Sequence, residues 1–173
     1  MFEKILVAID GSPHAARALG AAAELAKVHG ARLEILHVLG HGDVPEGLAR
    51  YVETEHLVER RPSSAADAVH LSSDVVPVRS ADDLEHAYRL RVAVGERLIE
   101  EARSEARRAG VTDVHGQTSE GEPARVILDR AASVGADLVV MGTRGLSELK
   151  GLLLGSVSHK VLQLAECPCL TIK

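Results

Sequence analysis

The sequence predicts an α/β protein, a doubly wound parallel sheet with helices on both faces. Short apolar runs of strand length alternate with segments of helical period, reading β-α-β-α-β-α-β-α-β along the chain. Ile5-Leu6-Val7-Ala8-Ile9 and Asp137-Leu138-Val139-Val140-Met141 are near-continuous apolar runs, the pattern of strands covered on both faces. Asp10-Gly11-Ser12 follows the first run and Gly142-Thr143-Arg144-Gly145 the second. Such sheets bind ligands beyond the carboxyl ends of their strands, so these two ends are the first places to look.

The elements follow in order. After the first strand, Ser12 suits an N-cap and Pro13 the first helical position, and Ala15, Ala18, Leu19, Ala22, Leu25 and Ala26 recur at helical spacing up to His29-Gly30. Leu33 to Leu39 makes a second strand, closing a β-α-β unit. Residues 40 to 81 interrupt the rhythm with glycine, proline and serine; Leu48, Tyr51, Val52 and Val58 suit one side of a short helix, and Pro62 to Ser80 reads as loop. Helical period returns from Asp82 through Leu84, Val94, Leu98, Ala102 and Ala106 to Gly110, with acidic residues in the first turn and Arg107 and Arg108 in the last, as the helix dipole favours. Val111 to Thr118 is expected as a third strand, Glu122 to Val134 as a third helix and Asp137 to Met141 as a fourth strand. Ser156 to Ala165 and Cys169 to Ile172 complete the series as a helix and a strand. One domain over residues 1–173 is expected, with the excursion at about 40–81.

Composition narrows the function. The 173 residues are 46% hydrophobic and 26% charged, ordinary for a globular domain. A net charge of -5 argues against nucleic acid and anionic membranes, which need a basic surface, and three aromatic residues supply no base-stacking platform. No basic, apolar leader opens the chain, and no uncharged stretch reaches the roughly 18 residues of a membrane span. Cys167 and Cys169 form neither a C-x-x-C redox motif nor a metal quartet, and buried packing is expected of them.

The glycines from Gly142 to Gly155 bracket a loop that leaves one buried strand and re-enters a helix, where backbone N–H groups can be aimed at a phosphate. Arg144 and Lys150 lie in that loop as candidate phosphate cations. Asp10 suits either contact with a sugar or metal, or capping of its own turn. Neither G-x-x-x-x-G-K-[ST] nor G-x-G-x-x-G after the first strand is present, which excludes the two commonest phosphate fingerprints. His37, His41 and Asp43 sit at a strand end, where spacing by four does not bring imidazoles to one face, so no metal site is assigned. No residue stands in the context of a nucleophile elbow, and no catalytic residue is nominated.

With these motifs in hand, the chain resembles the universal stress protein family. The resemblance rests on Ile5 to Ser12, Gly121-Glu122-Pro123, Asp137 to Gly142 and Gly155-Ser156-Val157-Ser158, and covers all but residues 40 to 81. Nucleotide-binding members carry G, two residues, G, nine residues, then G-[ST], and Gly142, Gly145, Gly155 and Ser156 satisfy it. The resemblance implies a five-stranded sheet of order 3-2-1-4-5, which sets the ends of strands 1 and 4 side by side. It implies that Ala8, Ile9 and Asp10 lie against adenosine, that Val38 offers backbone groups to adenine and that Met141 lines the pocket. Gly142, Arg144 and Gly145 would wrap the ribose and phosphates, and Gly155, Ser156, Val157 and Ser158 would hold the phosphate tail. It further implies ATP, ADP or AMP as ligand with Mg²⁺ as companion ion, a homodimer formed through the last strand, and a cytoplasmic stress-response role. A slow ATP hydrolase and a nucleotide-independent interaction module are the alternatives.

Overall fold

The computed structural model describes residues 1–40, 81–146 and 154–173. The short helix and loop expected within 40–80, and His41, Asp43 and Lys150, lie outside the described residues. The order is β1 (Lys4–Ile9), α1 (Pro13–His29), β2 (Arg32–Leu39), α2 (Ala81–Arg108), β3 (Val114–Glu120), α3 (Pro123–Val134), β4 (Leu138–Gly142), α4 (Ser156–Leu164) and β5 (Cys169–Ile172). The chain divides into two compact units, Met1–His41 with Gly95–Lys173, and Gly42–Val94, and α2 runs through the boundary in sequence. Within the described part of the second unit, Arg89 and Glu85 pair one helical turn apart.

All five strands belong to the first unit and form one parallel sheet of order β3-β2-β1-β4-β5. The alternation of side chains along each strand divides the core into two layers. Ile5, Val7, Leu33, Ile35 and Val140 pack with α1 and the second half of α2, through Ala15, Ala18, Leu19, Ile99 and Ala102. Leu6, Leu36, Val139 and Met141 face the other way, against Ala124, Ile127 and Ala131 of α3 and Val161 of α4. Helices therefore cover both faces, as the continuous apolar runs require.

Local chemistry sets the ends. The Ser12 hydroxyl accepts the Ala15 N–H at 3.2 Å, and Gly30 closes α1 in the left-handed region at φ 65°. At the C-terminus of α2, Gly110 takes φ 100° and the Val111 N–H donates to the Ala106 carbonyl at 3.1 Å. Val111 thus belongs to the helix terminus, which is why β3 starts at Val114 and not at Val111 as the alternation suggests. Close packing of the second half of α2 on the sheet depends on Gly95, where a Cβ would come within 2.8 Å of the Leu39 side chain. Among the described residues no helix is long and apolar enough to cross a membrane.

Glu34 and Arg130 form an ion pair inside the second layer. Glu34 is 4% exposed on β2, and its Oε2 accepts from Arg130 Nη2 of α3 at 2.7 Å. A buried carboxylate stripped of its partner is costly, whereas replacing both members with apolar groups is often neutral. Arg32 Nη1, 4.0 Å from Glu34 Oε1, remains as a weaker partner, so Arg130→Met is expected to lower stability by about 1–3 kcal/mol, and Glu34→Met with Arg130→Met to recover most of it. Denaturant unfolding of the three chains checks this, and additive losses would show that the two side chains are not coupled.

Candidate functional site

The sheet order makes β1 and β4 neighbours, although the chain leaves β1 toward one face and β4 toward the other. Their C-terminal ends border a cavity of about 410 Å³. Its floor is one register row: Leu36, Ala8 and Met141 are partners across β2, β1 and β4, with the small Ala8 between two long side chains. Val38 and Gly40 at the end of β2, Pro123 and Ile127 of α3, and the first turn of α4 complete the walls. All twelve residues singled out from the sequence line this cavity: Ala8, Ile9, Asp10, Val38, Met141, Gly142, Arg144, Gly145, Gly155, Ser156, Val157 and Ser158. Sequence reading missed Ala15, Leu36, Gly40, Pro123, Ile127 and Leu146. Leu36 was within reach, since it lies two residues before Val38 on the same side of β2; Pro123 and Ile127 emerge only once α3 is packed.

Asp10 serves its own turn and also the facing loop. Its Oδ1 accepts the Ser12 N–H at 2.9 Å, and its Oδ2 accepts the Leu146 N–H at 3.2 Å. The Ser12 hydroxyl also donates to the Arg144 carbonyl, at 3.4 Å. The β1–α1 turn and the glycine loop are thereby joined across the mouth of the sheet. Behind them, Gly155 N–H donates to the Thr143 carbonyl at 2.7 Å, and Thr143 N–H donates to the Ile172 carbonyl at 2.8 Å. The buried Ser158 hydroxyl lies 3.0 Å from the Gly142 carbonyl and 3.1 Å from that of Thr143, so its one hydrogen serves the loop. Ser158 borders the cavity, yet its donor is turned to backbone. His37 Nδ1 lies 2.9 Å from the Ile9 carbonyl, bound within the sheet.

The three helix starts near the cavity differ. α1 is capped by Ser12 and α3 by Glu122, whose Oε2 accepts the Arg125 N–H at 2.8 Å. At α4 the N-cap is Gly155, which supplies no side-chain acceptor. Its first-turn N–H groups thus lack the side-chain acceptor that the other two helices carry, and the residues of that turn line the cavity. Arg125 N–H and, after it, Lys160 hold the Glu122 carboxyl below the usual range against the opposing effect of burial. Cys167 and Cys169 are half-buried rather than enclosed, packing on the α3/α4 layer, and burial pushes both thiols up. Among the described residues no three His, Cys, Asp or Glu side chains form a group able to hold a metal ion.

The glycines are there for different reasons. A Cβ on Gly142 would meet His14 at 2.8 Å from its Cβ and 2.9 Å from its backbone carbon. On Gly145 it would come 2.4 Å from Asp10 Oδ2. At Gly155 the nearest described atom is 3.5 Å away and φ is -73°, so neither packing nor backbone conformation demands glycine there. Alanine at position 142 is expected to cost about 1–3 kcal/mol, alanine at 145 about 1 kcal/mol through loss of the Asp10 contact, and alanine at 155 under about 0.5 kcal/mol. Unfolding midpoints of the three variants test the ranking.

A sequence model of the universal stress protein family matches residues 1–173. The universal stress protein YxiE of Bacillus subtilis is 39% identical over 173 residues, covering all of both chains. A universal stress protein of Thermus aquaticus, encoded 3′ to a QAH/OAS sulfhydrylase, is 36% identical over 174 residues with the same full coverage. Among solved structures, a universal stress protein in complex with cAMP aligns with 26% identity and a TM-score of 0.64, over 99% of this chain and 97% of the other.

Proposed function

The chain belongs to the universal stress protein family, and from that premise we propose that it is a cytoplasmic regulatory protein of the stress response that binds ATP or a related adenine nucleotide, with occupancy as its signal. The observation that carries this reading is the bare first turn of α4. It is a helix start without a side-chain cap, led by a glycine the fold does not need, and it borders a cavity of nucleotide size. The apolar row Leu36, Ala8 and Met141 suits the flat face of a purine, and Val38 and Gly40 leave backbone groups at its edge. A universal stress protein of similar fold holds cAMP, an adenine nucleotide. Mg²⁺, where it accompanies ATP, would be held chiefly by the phosphates.

The assignment of residues follows the cavity. Asp10 lies at the ribose end, Arg144 and Gly145 run along the phosphates, and Gly155, Ser156 and Val157 receive the tail through their N–H groups. Gly142 and Ser158 keep the loop in shape behind them. The four-residue β5 is an edge strand, and a second copy pairing along that edge would satisfy its outer backbone groups, so we take the protein to be a homodimer.

Purified protein incubated with ATP is expected to retain nucleotide stoichiometrically with no steady release of phosphate. Gly155→Val is expected to fold normally and to lose affinity about tenfold or more, because the added side chain occupies ligand space. Failure of the natural chain to retain nucleotide, or equal retention by the variant, would contradict the reading. Steady phosphate release would instead make the protein a slow ATP hydrolase.

A further inference from the structure

We propose that Lys160 is a specificity-determining residue for the number of phosphates on the ligand, and that Glu122 holds it in reserve beside the cavity. The inference rests on the nucleotide reading above and adds a residue that the glycine motif does not contain. Lys160 Nζ lies 3.3 Å from Glu122 Oε2, bridging the second turn of α4 and the N-cap of α3. The residue beyond Glu122 is Pro123, and the residues four and three before Lys160 are Ser156 and Val157; all three line the cavity. Residues spaced by three and four share a helix face, and side chains there tilt toward the helix N-terminus. The Lys160 stem therefore runs toward the turn where the phosphate tail would end.

Charge balance gives this position its purpose. Arg144 and Asp10 are the charged side chains among the described residues lining the cavity, and their charges offset. The helix start adds about half a positive charge. A triphosphate brings about two more negative charges than a monophosphate, so a further cation beside the tail favours the longer chain. Lys160 sits next to the place where further phosphates would extend, and its present partner is easily given up. Both members of the pair are about half exposed, at 50% and 49% of the side chain, a setting in which ion pairs contribute little. Glu122 keeps the Arg125 N–H as a partner at 2.8 Å when the lysine leaves. Lys160 thus exchanges one carboxylate for a more highly charged phosphate chain without disturbing the cap of α3.

Titration of Lys160→Gln and Lys160→Arg with AMP and with ATP tests this on the full chain. Lys160→Gln is expected to weaken ATP about three- to tenfold while AMP is held as before, and Lys160→Arg to restore the ATP preference. An equal loss for both nucleotides would assign Lys160 a merely structural part and overturn the proposal, as would unchanged affinity for both. If the natural chain binds neither nucleotide, the function proposed above falls and this inference with it. If it binds both and the ratio is unmoved by the variants, only this inference falls.

Discussion

The site depends on one constraint: β1 and β4 are hydrogen-bonded neighbours from which the chain departs to opposite faces of the sheet. Where two such strands end side by side, helices cannot close over the seam from either side, and a cleft remains. Here the cleft is deepened by the floor, since the small Ala8 stands between Leu36 and Met141 in its register row. The concavity is a property of topology and of one small side chain in the right register. Binding residues then need only be placed around its rim.

The rim is held by backbone more than by side chains. Thr143 is the knot, with its N–H tied to β5 and its carbonyl receiving both Gly155 N–H and Ser158 Oγ. The same few bonds fix the end of β4, the end of β5 and the start of α4, so the uncapped turn is presented in a set position. From the other side, Asp10 reaches across to Leu146 N–H, which gives its carboxylate a structural task beside any contact with a ligand. A site of this kind is built before the ligand arrives, and a preorganised set of donors loses little entropy on binding.

Much of this was legible in the sequence, for physical reasons. Ile5 to Ile9 and Leu138 to Met141 declare buried strands because only such strands are apolar on both sides, and Ser12-Pro13 and Glu122-Pro123 declare helix starts because capping is a local interaction. The glycine spacing likewise identified the loop. What stayed hidden is non-local. Pro123 and Ile127 join the cavity only when α3 lies on the sheet, and the Glu34–Arg130 pair spans 96 positions. β3 starts later than the alternation suggests because Val111 looks like a strand residue and is held by a helix terminus. Ser158 shows the limit of motif reading. Its place beside the cavity follows from the pattern, while the direction of its hydroxyl follows from carbonyls sixteen and fifteen residues earlier.

On the proposed function, the backbone donors of α4's first turn meet the phosphate of an adenine nucleotide. Amide resonances of the isotope-labelled protein, followed while AMP is added, test it most directly. The largest shifts are expected at Ser156 and Val157, with accompanying shifts at Gly145 and Val38 at the other walls of the cavity. Absence of shifts at Ser156 and Val157, or a response centred on residues outside the cavity, would contradict it.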